Sequence, residues 1–466
     1  SITGVGGAGT GSSNGVTVKG TTGQIRSTGG SLNIIGTGSA TVSGNSNVGV
    51  EVDVGTQILG AGIGTVTVTG TGGTGTGGTN QGVIVRSASI SSSGTGNVTV
   101  VGSGTGSNGG QDFRVHVTGA TARISSGGGN VSVQGTGGSG AGNSQYGVNV
   151  NTGGTVTAGG SGTVVVLGQG GAAPGGFNIG VNLFGGGSGI TSSGGAVLVT
   201  GIGAGTGTSS SGYGVLVQSG TSITSGGTGT LTVQGTGSNL ATNLNRGITV
   251  TGGSIGSAGG DVTLIGQGGG AGTSQNGQGV RVDSAGVVSA GGNGNLNITG
   301  VGSSATGSNN AGVSLTNTNS RISTNNGTIH LVGSTLGTSQ PGVDLSVNGV
   351  VQSGANNTVT VTTDSYSGDG TASISAGTGI VNIRNRTAGT LSNLGGADVL
   401  GGSPLTLGLA DAELERITAG TLEVGRNDAT AAGAITVSAA ISPTLASNLT
   451  VLGGGGIADA LLHLIA

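Results

Sequence analysis

Residues 145–170 read QYGVNVNTGGTVTAGGSGTVVVLGQG. Three short runs alternate aliphatic with polar residues, and glycine-rich bends separate them. Period-two alternation puts Val148 and Val150 on one face of a strand and Asn149 on the other. YGVNV therefore reads as a first strand, TVTA as a second and TVVVLG as a third, with GG and GGSG turning the corners.

The same three runs recur along the chain at a fixed pace. A glycine followed by apolar, variable, apolar residues begins at Gly15, Gly49, Gly82, Gly147, Gly180, Gly214, Gly247, Gly279, Gly312 and Gly342, with Arg114 replacing the glycine once. From Gly15 to Gly342 this spans 327 residues in ten intervals, about 33 each. A lone aliphatic before a glycine turn keeps step from Ile25 through Ile58 and Ile90 to Val351, and a strand ending in glycine keeps step from Gly36 to Gly333. Three tracks at one period predict an all-β, parallel β-helix with about 33 residues and three strands per coil. About six aliphatic side chains per coil would point inward. Equivalent strands would stack roughly 4.8 Å apart, so about ten coils make a rod section roughly 50 Å long.

Composition agrees and excludes much else. Of 466 residues 115 are glycine, only 6% are charged and 1% aromatic, so helices are disfavoured and chemistry-bearing side chains are scarce. Twelve basic against fifteen acidic residues give a net charge of -3, which provides no footprint for nucleic acid or an anionic membrane. There is no apolar run of about 18 residues to span a bilayer. The chain lacks cysteine, which removes disulfide and thiol chemistry and suits a protein exported without disulfides. It opens at Ser1 with no basic-then-apolar leader, so any signal peptide belongs outside this sequence.

The rhythm divides the chain into regular coils over residues 1–362 and irregular coils with a cap or docking segment over residues 363–466. Residues 404–442 read as strands around one helical turn near residues 411–416, and a further strand follows at 448–456. The last residues, IADALLHLIA, contribute Leu461, Leu462 and Leu464 as a candidate docking surface. At the other end SITGVG (residues 1–6) matches NITGVG (residues 297–302), so the chain begins in a third strand. Ser1 and Ile2 then stand on an open row of backbone groups that invites pairing. Two expectations follow: continuation of a longer repeat chain, or end-to-end stacking of subunits.

The coils, and especially LGLADAELERITAGTLEVG (407–425) followed by GAITVSAAIS (433–442), resemble the β-strand-repeat regions of large secreted bacterial adhesins of the filamentous-haemagglutinin type. The resemblance implies a right-handed parallel β-helix (β-solenoid) forming a stiff extracellular or cell-surface stalk, with a host or surface glycan receptor as partner. It implies no catalytic residues, and no cofactor is expected.

Chemistry hidden in the repeat was sought against that background. A polysaccharide-active β-helix enzyme needs clustered carboxylates on one face. The nearest constellation is Glu51 and Asp53 with Arg86 and His116, where Asp53 and Arg86 are placed to pair across one rung as a structural contact. Arg281 and Asp283 form a second pair expected to face outward. His116, His330 and His463 lie far apart, so no metal site or triad is expected. An ice-binding face is the third alternative: Thr65, Thr67 and Thr69 point outward together, but Val165, Leu198, Asn297 and His330 interrupt the column. Six Phe and Tyr residues are too few for extended sugar stacking, and Tyr146 and Tyr213 are expected to pack over coil corners. The outward apolar residues Val165, Leu167, Leu198 and Ile265 mark a candidate interface for lateral self-association, unless the long loop with Phe177 or Phe184 covers them.

Overall fold

In the computed structural model, which describes residues 1–8, 11–40, 46–74, 79–104, 110–337, 340–354, 356–428 and 430–459, the chain is a parallel β-solenoid. Each turn of about 33 residues lays one strand into each of three sheets. The strand-one sheet has 12 strands, the strand-two sheet 13 and the strand-three sheet 15, and every strand pairs with its equivalents one turn away. In the stretch read first, the strands are Val148–Asn151, Thr155–Ala158 and Val164–Gln169.

Register follows the repeat. Val131 pairs with Val164, and Val164 with Val197; Val148 pairs with Val181, and Ile124 with Val156. Inward positions thus become continuous columns. Within one coil Val148, Val150, Val156, Val164 and Val166 are all fully buried. The sixth inward position does not carry the large aliphatic expected there. It is small, as Ser92, Ser126, Ala158, Ser192 and Ser225, because strand two turns immediately afterwards. Ser225 Oγ donates to the Gly229 carbonyl at 2.7 Å, and Ser126 Oγ accepts from the Gly129 amide at 2.8 Å, so the hydroxyl closes the bend.

Two of the recurrent glycines have a packing cause. Strand three leaves the coil against the backbone that begins strand one. A Cβ on Gly201 would overlap the Gly214 carbonyl oxygen, and Gly168 meets Gly180 in the same way. Side chains cannot fit at this corner. The chain therefore loops outward between the two glycines and returns, and that excursion folds over the outer face of the strand-one sheet. Ile179, Tyr213 and Leu216 form a second small buried cluster there.

A column of amide side chains fixes these excursions. The Gly277 amide donates to Asn310 Oδ1 at 2.7 Å, and Asn310 Nδ2 donates to the Gly307 carbonyl at 2.9 Å. Asn245 binds the Gly212 amide and the Thr242 carbonyl in the same way, at 3.1 and 2.7 Å. Each asparagine satisfies its own loop and the loop of the turn before, so loop shape is coupled along the rod.

The strand-one sheet ends at Tyr366–Gly368, and a separate four-stranded parallel sheet containing Leu391–Leu394, Thr406–Leu409, Ile435–Val437 and Ile457–Asp459 takes over. A single helical turn, Asp411–Leu414, and the strand Leu449–Leu452 lie where the sequence places them. Glu413 Oε2 accepts the Ala410 amide at 2.8 Å, which caps the turn.

Candidate functional site

A concavity of about 380 Å³ with mixed chemistry lies on the outer face of the strand-one sheet, lined by both loops and strands. Its floor is the outward column of that sheet, His116, Asn149 and Asn182 in register on successive strands, continued by Leu216. Asn182 Nδ2 donates to Asn149 Oδ1 at 2.8 Å, and Gln218 Nε2 donates to Asn182 Oδ1 at 2.9 Å, so a chain of amides runs along the rod. The next outward column supplies Asn151 opposite Phe184. The loops supply Phe113, Tyr146 and Ile179 from the position just before strand one, with Phe177 beyond them.

Rings dominate the rim. Phe113 stacks on Tyr146 with centroids 4.8 Å apart and meets the His116 ring edge-on at 4.7 Å. Phe177 and Phe184 are 49% and 55% exposed. His116 Nδ1 lies 3.2 Å from Gln81 Oε1 and Nε2 3.3 Å from Asn151 Oδ1. Burial, reinforced by the Arg86 charge and only partly opposed by the Asn151 contact, pushes its pKa down to about 4. The imidazole is therefore uncharged at neutral pH, and no Asp, Glu, Lys or Arg lines the groove.

Of the six Phe and Tyr side chains, register gathers four, Phe113, Tyr146, Phe177 and Phe184, in one groove, and Tyr213 lies buried beside it. The available signal was position, since Phe113, Tyr146 and Tyr213 each precede the residue that opens the first-strand motif, Arg114, Gly147 and Gly214.

Arg86 Nη1 reaches Glu51 Oε1 at 2.7 Å and Asp53 Oδ1 at 3.3 Å, bridging both carboxylates on the neighbouring turn, while His116 contacts amides instead. Arg281 Nε pairs with Asp283 Oδ2 at 2.6 Å. Their side chains are mostly covered rather than outward in solvent, because the loops roof this sheet face. Among the described residues no group of three or more His, Asp or Glu is placed to hold a metal ion.

On the strand-three sheet Val165 and Leu198 pair directly, with Leu167 two residues along from Val165. Ile265 shares the Leu167 column, but Thr200 and Gln234 separate them. Phe177 and Phe184 do not cover these residues, since both line the groove on the strand-one sheet, Phe184 from the strand itself, and Leu167 and Ile265 stay 37% and 44% exposed. The interrupted threonine column runs Thr67, Thr99, Ser132, Val165, Leu198 and Thr232 in register. Ile2 pairs with Ile34 in the first strand of this sheet, next to exposed Ser1. Leu461, Leu462 and Leu464 lie outside the described residues.

One further pocket holds two carboxylates, Asp398 and Glu413, beside Tyr366. Asp398 accepts the Gly408 amide at 2.7 Å and the Tyr366 amide at 2.9 Å, and Glu413 accepts the Gly368 amide at 2.9 Å as well as Ala410. All four oxygens thus serve as backbone tethers where one sheet gives way to the next. Burial pushes the Asp398 pKa up to about 7 and raises that of Glu413.

Fold and groove define a β-solenoid with a ring-lined groove on the outer face of the strand-one sheet, whose described lining carries no charged side chain. No protein-family model matches this chain, and neither a curated protein nor a solved structure matches it. No helix among the described residues is long and apolar enough to cross a membrane.

Proposed function

We propose that the protein is a non-enzymatic structural rod, an extracellular stalk or filament subunit of the bacterial surface related in role to the filamentous-haemagglutinin type of adhesin. The carrying observation is unbroken register: strand pairing continues turn after turn from Val16 to Gly368 in the strand-one sheet, with buried aliphatic columns beneath it. Each turn adds a fixed rise and one hydrogen-bonded rung, so stiffness is the property such a stack delivers. The scarcity of charged side chains supports the same reading, because polysaccharide cleavage requires an acid and a base free to exchange protons with substrate. The oxygens of Asp398 and Glu413 are committed to backbone amides instead.

Electron microscopy of the native material, with surface immunolabelling, tests the proposal. Rods or continuous fibres at the cell surface are expected, and an unlabelled surface overturns it. Polysaccharide hydrolysis that disappears in Glu413→Gln would establish the enzymatic alternative. For end-to-end assembly, sedimentation of the 466-residue chain as compact monomers at every concentration removes stacking.

A further inference from the structure

We propose that the groove on the outer face of the strand-one sheet binds a neutral oligosaccharide lying along the rod axis.

The floor provides the first reason. The Asn149 side chain lines the groove, and its Nδ2 group donates to no protein acceptor among the described residues, which leaves that donor to water or a ligand in the groove. Its Oδ1 is already engaged by Asn182, which fixes the orientation and leaves Nδ2 as the group directed to a ligand acceptor. Gln218, at the far end of the same relay, spends one donor on Asn182 and keeps its remaining groups for the groove.

The rim gives the second. Phe177 and Phe184 leave half their surface in water on a chain that otherwise spends almost no aromatic residues. Sugar rings carry weakly positive C–H groups on their faces, which pack against the negative face of an aromatic ring, while their hydroxyls bond to neighbouring amides. Amides on the floor and rings at the rim supply both kinds of contact.

Charge and geometry decide among occupants. Among the described residues no charged side chain lines the groove, so it offers nothing to uronate, sulfate or phosphate. A peptide would find a sheet face and not an edge: the backbone groups of strands Val148–Asn151 and Val181–Phe184 are already used in the ladder. From His116 to Leu216 the floor crosses four strands, roughly 15 Å, which suits an oligosaccharide better than a monosaccharide.

The test is a glycan array of neutral gluco-, galacto-, manno- and xylo-oligosaccharides together with acidic glycans, followed by calorimetry with the best ligand. At least one neutral class should bind, with an affinity unchanged by added salt. Phe177→Ala and Phe184→Ala should each weaken it roughly fivefold or more, and Phe184→Tyr should retain it. Both phenylalanines are exposed, so the thermal melts should match wild type. Ile265→Ser, on the strand-three sheet, should leave affinity unchanged. The proposal is overturned if no neutral glycan binds, if binding is confined to acidic glycans and lost in salt, or if Ile265→Ser weakens it as much as Phe184→Ala. It does not depend on the stalk reading, because fibre morphology and glycan retention are separate observations and either can fail alone.

Discussion

Replacing Gly201 by alanine places a methyl group in the corner where strand three passes the start of strand one. The added carbon would overlap the Gly214 carbonyl oxygen and stand 2.6 Å from the carbonyl carbon and 2.7 Å from Val215 Cγ2. Neither wall can yield cheaply. The Gly214 and Val215 amides donate to Arg246 and Gly247 of the following turn, both at 2.9 Å, and Gly201 itself pairs with Gly168 and Gly235. Forced overpacking costs about 1–3 kcal/mol, and more where backbone must move. One or two displaced ladder bonds add about 1 kcal/mol each. Gly201→Ala should therefore lose about 4 kcal/mol, near the top of the range for a single substitution. Because each turn contacts only its neighbours, the loss should appear as local opening around this turn and not as uniform softening of the rod. Native-state hydrogen exchange read by mass spectrometry, alongside urea unfolding, checks both size and place. Gly186→Ala is the control, since Gly186 is exposed and nothing lies within 4 Å of its added carbon. That variant should stay within about 0.5 kcal/mol of wild type. Equal exchange protection in the two variants would refute the steric account of the glycine corner.

Asn310→Ala removes a side chain that serves two loops, and should cost about 2–3 kcal/mol in urea unfolding, with exchange rising in residues 268–278 and 303–311. Arg86→Ala, at a half-exposed bridge, should cost no more than about 1 kcal/mol, and high salt should erase the difference. Asp398 is raised to about 7 in the folded chain, which therefore keeps a proton that the unfolded chain releases near pH 4. Stability of the C-terminal sheet should be greatest at low pH as far as this group is concerned and fall as pH rises from about 4 to 7. Urea midpoints for Asp398→Asn should lose most of that slope. If the Val165 and Leu198 face joins rods laterally, Val165→Asp should abolish bundles seen by electron microscopy while leaving single rods intact; unchanged bundles would exclude this face.

The fold was legible because its determinants repeat. Val148, Val150, Val156, Val164 and Val166 obey a period-two pattern within strands and recur at about 33 residues from turn to turn, which is the pattern a parallel β-solenoid requires. The small sixth inward residue was less visible, since Ser126 and Ala158 look like turn residues until the coil closes on them. The groove was hidden for a different reason. A period shows which residues stack, but not how a long loop lies over the sheet that follows it. Outward Asn149 and Arg281 therefore read as solvent-facing, whereas the loop roof makes the first fully buried and the second mostly covered.

The position of the groove along the rod follows from where the repeat is broken. The turn that begins strand one at residue 114 departs from its neighbours at consecutive sites: Asp112 stands in the asparagine column, Phe113 begins the ring-bearing positions, Arg114 replaces the corner glycine, and His116 replaces an outward neutral residue. Arg114 is fully buried and its Nη1 donates to the Asn80 carbonyl at 2.7 Å, so a long cationic side chain braces this turn on the one before it. The two turns beyond it carry the remaining groove rings, Tyr146 and then Phe177 with Phe184. A rod built for length alone gains nothing from substituting a buried arginine for a glycine, because desolvating the guanidinium is costly. The departures are accounted for together if this turn forms one end of a ligand groove. In a solenoid the inward columns carry the load and must repeat, so specific function is to be sought where outward columns stop repeating.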